Sequence, residues 1–196
     1  MTLPGRDVDR QPLHRRQIDV QVFARDDGLF DVEATVRDVR SHDVPMATGL
    51  RAAGEPIHDL RLHLVVDRRL QIVEAGSQSA ATPYPGHCDA LGDTYGRLVG
   101  LNLLDRFRHR LREHVGGTAG CTHLTELAQV LPTAVVQALA GQVLDTRGTG
   151  EGASQPFQID RCHALRSDGA VVRMHYPRWA RPAAGPNPPL IAEGTS

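Results

Sequence analysis

Hydrophobic and polar residues alternate in two segments of the first half of the chain, which is the pattern of half-buried β-strands. The apolar positions of these two segments are Ile18, Val20 and Val22, and then Phe30, Val32, Ala34 and Val36. Asp27-Gly28 between them predicts a hairpin turn. Residues 60–66 alternate in the same way, and the turn at 67–70 leads into a further strand. The first half is therefore predicted to form about four antiparallel strands.

The apolar spacing changes to three and four residues in the second half, which predicts helices. One helix is predicted from the spacing of Leu101, Leu104, Phe107, Leu111 and Val115, with Gly116-Gly117 at its end. A second helix begins after Cys121-Thr122, and Pro132 either kinks it or begins another helix. Residues 157–176 are predicted to form a third hairpin that turns at Ser167-Asp168-Gly169.

Strands followed by helices and a last hairpin indicate an α+β fold, an antiparallel sheet of about four to six strands with two or three helices packed on one face. Residues 1–15 are polar and are predicted to be a flexible N-terminal arm. Residues 16–178 are predicted to form a single domain. Residues 179–196 are rich in proline and glycine, so a disordered tail is predicted there.

Composition excludes several classes of function. The 196 residues include 22 basic side chains, and all of them are arginine. Chemistry that needs a lysine, such as a Schiff base, a pyridoxal phosphate anchor or a P-loop, is therefore excluded. The net charge of -1 disfavours nucleic acid as a partner. No apolar run approaches the ~20 residues of a membrane span and no secretory signal is visible, so a cytoplasmic protein without a membrane partner is expected.

Three cysteines and ten histidines are the most informative part of the composition. An odd number of widely spaced cysteines argues against a disulfide framework. Cys121 follows Gly120 at the predicted start of a helix, where the helix dipole favours a thiolate. His123 and Glu126 lie three residues apart on the same helix face. Gly120 also permits an anionic cofactor group at this helix start. Alternatively, the glycines only join two helices and Cys121 is a small buried residue.

Each cysteine lies within two residues of a histidine, which suggests a shared metal site. The ligand candidates are Cys88, Cys121, His123, Cys162 and His163. Three thiolates and one imidazole suit zinc, and iron or an iron-sulfur cluster is the alternative. Neighbouring strand residues point to opposite faces, so only one of Cys162 and His163 is expected to face the site. Core packing is the other interpretation of these residues.

His58 and Asp59 begin a predicted strand and are candidates for acid-base chemistry. With Glu126 and Cys121 they complete the predicted catalytic set. The resulting hypothesis is a metal-dependent enzyme that acts on a small organic substrate. A metal-free enzyme with Cys121 as nucleophile, or a metal or iron-sulfur binding or assembly protein, are the alternatives. Besides the substrate, the other candidate partner is a second copy of the chain, in a homodimer.

Five sequence blocks resemble a bacterial family of proteins, domain-of-unknown-function 2889. They are "RDDGLFDVEATVRD", "PIHDLRLHLVVD", "LVGLNLLDRFR", "GCTHLTEL" and "DRCHAL". The resemblance extends over residues 12–178. It implies that His58-Asp59, Cys88, the segment 120–124 and Cys162-His163 belong to recurrent blocks, and it implies no particular reaction.

A fainter likeness is to the U-type iron-sulfur assembly scaffolds. They are similar in having a cysteine after a loop, a Gly-Cys pair at a helix start and a last cysteine with a histidine nearby. Asp89 matches the acidic residue that follows their first cysteine. The segment "GCTHLTEL" and the predicted strand around Cys162 depart from the scaffold pattern, so the likeness concerns the layout of ligands alone.

Overall fold

The computed structural model describes residues 8–149 and 152–182. Residues 1–7 of the predicted arm and residues 183–196 of the predicted tail lie outside the described residues. The strands are β1 (His14–Ala24), β2 (Phe30–Arg40), β3 (Val44–Met46), β4 (Gly49–Arg51), β5 (Pro56–Val66) and β6 (Ile72–Ala81). The α-helices are α1 (Phe107–Val115), α2 (Thr122–Leu139) and α3 (Ala170–His175). Short 3-10 helices include Asp89–Leu98, before α1.

The four long strands form one antiparallel sheet in the order β1-β2-β5-β6. The predicted hairpin turn joins β1 to β2, and the turn at 67–70 joins β5 to β6. The segment between β2 and β5 forms the small antiparallel pair of β3 and β4. The α+β class and the four-stranded sheet are therefore confirmed.

One face of the sheet carries the core. Even-numbered residues of β2, from Phe30 to Val36, and of β5, from Leu60 to Val66, are buried. Asp38 and His58 continue these two rows beyond the apolar positions and lie opposite each other in the β2–β5 register. The strand period of two therefore places both polar side chains on the core face.

The apolar stripes of α1 and α2 supply the helical side of the core. Phe107, Leu111 and Val115 of α1 are buried, as are Leu124, Leu127 and Leu131 of α2. Helix α2 continues through Pro132 without a break. None of the helices in the described ranges is long and apolar enough to cross a bilayer.

The predicted start of the first helix at Leu101 is wrong, because α1 begins at Phe107. The backbone of residues 100–103 bonds to residues 70–72 instead. Ile72 N–H donates to the Leu101 carbonyl at 2.8 Å, and Gly100 N–H donates to the Ile72 carbonyl at 2.8 Å. Backbone groups satisfied in this way are not available for a helical turn.

Packing divides the chain into two compact units, with the boundary between Ala138 and Leu139. The sheet, α1 and nearly all of α2 belong to the first unit. In the second unit the predicted third hairpin is wrong, because turns lead into α3. Asp160 Oδ1 accepts a hydrogen bond from Ser167 N–H at 2.7 Å, and Gly169 N–H donates to the Arg166 carbonyl at 2.8 Å. These local bonds replace the strand pairing that alternation suggested.

Candidate metal centre

The carboxylate of Asp38 lies at the end of the core face of β2 and is 2% exposed. Arg16 donates to both of its oxygens, from Nε to Oδ1 and from Nη2 to Oδ2, each at 2.8 Å. His58 Nδ1 lies 3.0 Å from Oδ2, and His14 Nε2 lies 3.2 Å from Oδ1. A carboxylate has about four acceptor positions. All of those of Asp38 are therefore occupied.

Arg16 also connects the sheet to the start of α2. Its Nη1 donates to Glu126 Oε2 at 3.0 Å. Burial alone would raise the pKa of Asp38, because it disfavours the ionised form. The hydrogen bonds and the charge of Arg16, together with those of His58, have the larger effect and hold the pKa of Asp38 below its ordinary value. The hydrogen bond to Asp38 in turn raises the pKa of Arg16. The centre thus contains a fixed carboxylate and a fixed guanidinium.

The imidazoles of His58 and His123 are in contact. Their ring centroids are 3.8 Å apart and the planes are inclined by 35°. Burial lowers the pKa of His58, and the neighbouring His123 lowers it further, against the opposing effect of Asp38. Because ionised Asp38 can only accept, His58 Nδ1 donates to it. A neutral His58 then carries its lone pair on Nε2.

The sheet is irregular beside these residues. The β2–β5 register shifts between Asp38 and Val39, and the β5–β6 register shifts between Asp59 and Leu60. Bulges of this kind bend a strand and change the direction of a side chain, and they are frequent next to active sites. His58 therefore lies in a part of β5 that departs from the regular ladder on both sides.

Asp38, His58 and His123 together form a possible metal-ligand group. One potential ligand atom from each residue lies within 4.8 Å of those of the other two. Asp38 is buried, whereas His58 and His123 are half-buried. One carboxylate and two imidazoles on three different elements can therefore meet one small cation.

Cys121 lies beside this group, at the residue before α2. Its Sγ is 3.9 Å from His123 Nδ1. Cys121 is half-buried and free of any disulfide. Cys121 and His123, two of the predicted site residues, are therefore in contact, although the three-residue group does not include the sulfur.

Gly120 lies where a side chain would collide with the backbone of α1. A Cβ atom at this position would meet the Val115 carbonyl oxygen well inside van der Waals contact and would lie 3.2 Å from the Tyr95 hydroxyl. The backbone of Gly120 is extended, so its conformation suits any residue. The role of Gly120 in the structure is close packing.

Replacing Gly120 by alanine is expected to lower the free energy of unfolding by about 1–3 kcal/mol, the usual cost of overpacking. Gly96 is the matched control, because a Cβ there meets nothing within 4 Å. Urea unfolding of both variants measures the difference. Equal midpoints for the two variants would contradict the close approach of Gly120 to Val115.

The remaining residues predicted for the first unit are dispersed. Glu126 reaches the centre through Arg16. Asp59 is the strand neighbour of His58, and Cys88 precedes the 3-10 helix Asp89–Leu98 and is half-buried. Neither Asp59 nor Cys88 belongs to the ligand group found among the described residues.

Cys162 and His163 lie in the second unit. Both side chains are exposed, and both residues are in turns rather than in the predicted strand. The predicted strand around Cys162 and His163 is therefore wrong, and with it the argument that strand alternation lets only one of them face the site. Their assignment as metal ligands stays a prediction.

Sequence reasoning missed Asp38 and Arg16. Each carries a visible signal, because each continues an apolar row on one face of its strand. Asp38 follows Val32, Ala34 and Val36 at a spacing of two. Arg16 precedes Ile18, Val20 and Val22 in the same way, and the β1–β2 register pairs Arg16 with Asp38. Opposite charges on the same face of two neighbouring predicted strands would have indicated this ion pair.

Similarity to known proteins is found at the level of a family. No curated protein and no solved structure matches the chain. A family model described as a protein of unknown function (DUF2889) matches residues 14–137. This range contains Asp38, His58, Cys121 and His123, and it ends before Cys162. It is shorter than the range of the resemblance but covers more than half of the sequence, so the chain belongs to the DUF2889 family.

Proposed function

We propose that this protein is a metal-dependent enzyme of small-molecule metabolism, and that Asp38, His58 and His123 hold its metal ion. The observation that carries the proposal is the group geometry, with one ligand atom of each residue within 4.8 Å of the others. The three residues come from β2, β5 and α2. They are brought together by the fold rather than by a local motif.

The donor set favours zinc, with ferrous iron as the alternative. Two imidazoles and one carboxylate form catalytic zinc sites, and the same set forms the facial triad of non-haem iron enzymes. Iron-sulfur clusters need thiolates, and the three ligand residues supply no sulfur. Within this proposal a cluster is therefore less suitable than a single ion.

Three protein ligands leave coordination positions for water or substrate, which distinguishes a catalytic from a structural zinc site. When bound, such an ion polarises a carbonyl group or activates water. Arg16 orients the Asp38 carboxylate through two hydrogen bonds, and Glu126 holds Arg16 from the other side. The class of substrate proposed is a small organic molecule with a carbonyl or a hydrolysable bond.

Asp38 and His58 can hold the same ion only if the proton between Asp38 Oδ2 and His58 Nδ1, which lie 3.0 Å apart, gives way. His58 would then carry its proton on Nε2. Arg16 would keep its two hydrogen bonds to the carboxylate.

The proposed location is the cytoplasm. Cys88, Cys121 and Cys162 are all free thiols. Thiols persist in reducing compartments, where disulfides are rare. The free thiols therefore support the proposed location.

Elemental analysis of the purified protein tests the proposal. The wild type is expected to carry about one equivalent of zinc or iron, and His58→Ala and His123→Ala are expected to carry almost none. His109→Ala is the matched control, because this imidazole is 56% exposed on α1 and contacts Glu113. Metal-free wild type after growth and reconstitution with either ion would overturn the proposal.

A second candidate is a metal-free enzyme with Cys121 as nucleophile. It is favoured by the 3.9 Å contact between Cys121 Sγ and His123 Nδ1 at the start of an 18-residue helix. Cys121→Ser separates the candidates. In the metal-dependent enzyme this variant keeps its metal, whereas a metal-free wild type that reacts with iodoacetamide selectively at Cys121 would favour the thiolate enzyme.

A further inference from the structure

A buried tyrosine binds the backbone from which the candidate centre is built. Tyr95 lies in the 3-10 helix Asp89–Leu98 and is 0% exposed. Its hydroxyl donates to the Cys121 carbonyl at 2.9 Å and accepts the Cys121 amide N–H at 3.0 Å. One hydroxyl therefore holds both backbone polar groups of the residue that precedes α2.

A threonine one turn into α2 supports this contact. Thr125 Oγ1 lies 3.1 Å from the Tyr95 hydroxyl and donates to the Val115 carbonyl at 3.0 Å. The Val115 carbonyl belongs to the last residue of α1. Tyr95, Thr125 and Val115 thus connect the 3-10 helix, the start of α2 and the end of α1 by buried hydrogen bonds.

The position of Cys121 determines where its neighbours lie. Thr125 N–H donates to the Cys121 carbonyl at 2.9 Å, which is the first helical hydrogen bond of α2. His123 is two residues after Cys121, within this first turn. A shift of the Cys121 backbone therefore moves the His123 ring relative to His58 on the sheet.

We propose that Tyr95 is the positioning residue of the candidate centre, fixing the backbone of Cys121 and thereby the ring of His123 against His58. The inference rests on the proposed function for its metal readout. The Tyr95 hydroxyl group is what fixes the Cys121 backbone. Phenylalanine would fill nearly the same volume but would leave the Cys121 amide without this acceptor. An amide without a partner in this half-buried turn costs free energy and favours rearrangement of the turn.

Cobalt binding to the full-length protein tests the positioning role. Tyr95→Phe and Thr125→Val are expected to weaken Co²⁺ binding by about 10- to 100-fold, the usual effect of losing a residue that supports a ligand. Thr125→Ser keeps the hydroxyl and is expected to retain affinity. Phe107→Leu is the stability control. This buried side chain of α1 has no polar group, so its loss lowers the melting temperature without changing Co²⁺ affinity.

Amide exchange provides a readout that needs no metal. In metal-free wild type the Cys121 amide is expected to exchange slowly, and Tyr95→Phe is expected to accelerate it at least tenfold and to shift the ring ¹⁵N resonances of His123. Phe107→Leu should leave the His123 resonances in place. Unchanged exchange and unchanged His123 resonances in Tyr95→Phe would overturn the inference.

The two readouts separate the inference from the proposed function. Failure of the wild type to bind Co²⁺ would reject the metal centre, and the exchange experiment would still decide whether Tyr95 positions His123. Tight binding by the wild type with equal affinity in Tyr95→Phe would preserve the metal centre and reject the positioning role.

Discussion

Replacing His123 by alanine is expected to weaken Co²⁺ binding by about a thousandfold. Structural zinc sites with four protein ligands contribute roughly 10–16 kcal/mol of binding free energy, which is up to about 4 kcal/mol per ligand. A loss of about 4 kcal/mol corresponds to three powers of ten. Helix α2 does not depend on this ring for its core, because Leu124, Leu127 and Leu131 form the buried stripe. Titration with Co²⁺, followed by its absorption spectrum, measures the change.

Cys88→Ala is the control for the His123 variant. Cys88 is a half-buried thiol in the same unit and lies outside the ligand group. It is expected to leave the Co²⁺ affinity within twofold of the wild type. A loss of affinity in Cys88→Ala as large as that in His123→Ala would show instead that thiolates hold the ion.

Replacing Arg16 by methionine is expected to lower the free energy of unfolding of the metal-free protein by about 2–4 kcal/mol. The variant leaves the Asp38 carboxylate buried without its guanidinium, and an uncompensated buried charge is strongly destabilising. The value lies below the full cost of such a loss because His14 Nε2 and His58 Nδ1 still contact the carboxylate. Urea unfolding in the presence of a chelator measures it.

Asp38→Asn should cost less than Arg16→Met, about 1–2 kcal/mol, since the remaining Arg16 is 35% exposed and keeps its contact with Glu126. Arg25→Met removes an arginine that pairs with Asp27 and Asp31 near the surface. Of the three variants it should lower the free energy of unfolding least. A loss in Arg16→Met no larger than that in Arg25→Met would contradict the buried ion pair.

The strands could be predicted from the sequence because their alternation is regular and their turns are marked. The period of two in β2 and β5 is set by burial of one face, and the same residues are buried in the structure. Alternation failed in residues 157–176. There short-range bonds of Asp160 and Arg166 close turns before a strand can pair. Local polar groups thus overrode a weak apolar pattern.

The candidate centre was predictable only in part. His58, Cys121, His123 and Glu126 stand out by residue type and position near a helix or strand start. Asp38 and Arg16 do not, because their partners are distant in sequence and become neighbours only through strand register. Adjacency of cysteine and histidine along the chain likewise contains no information about which side chains meet across the sheet.

Anomalous diffraction from crystals grown with zinc locates the ion and so decides whether Asp38, His58 and His123 hold it. We expect one strong peak at the zinc edge about 2.0–2.2 Å from a ligand atom of each of these three residues. A peak held by cysteine sulfurs, with none between these three residues, would contradict this assignment.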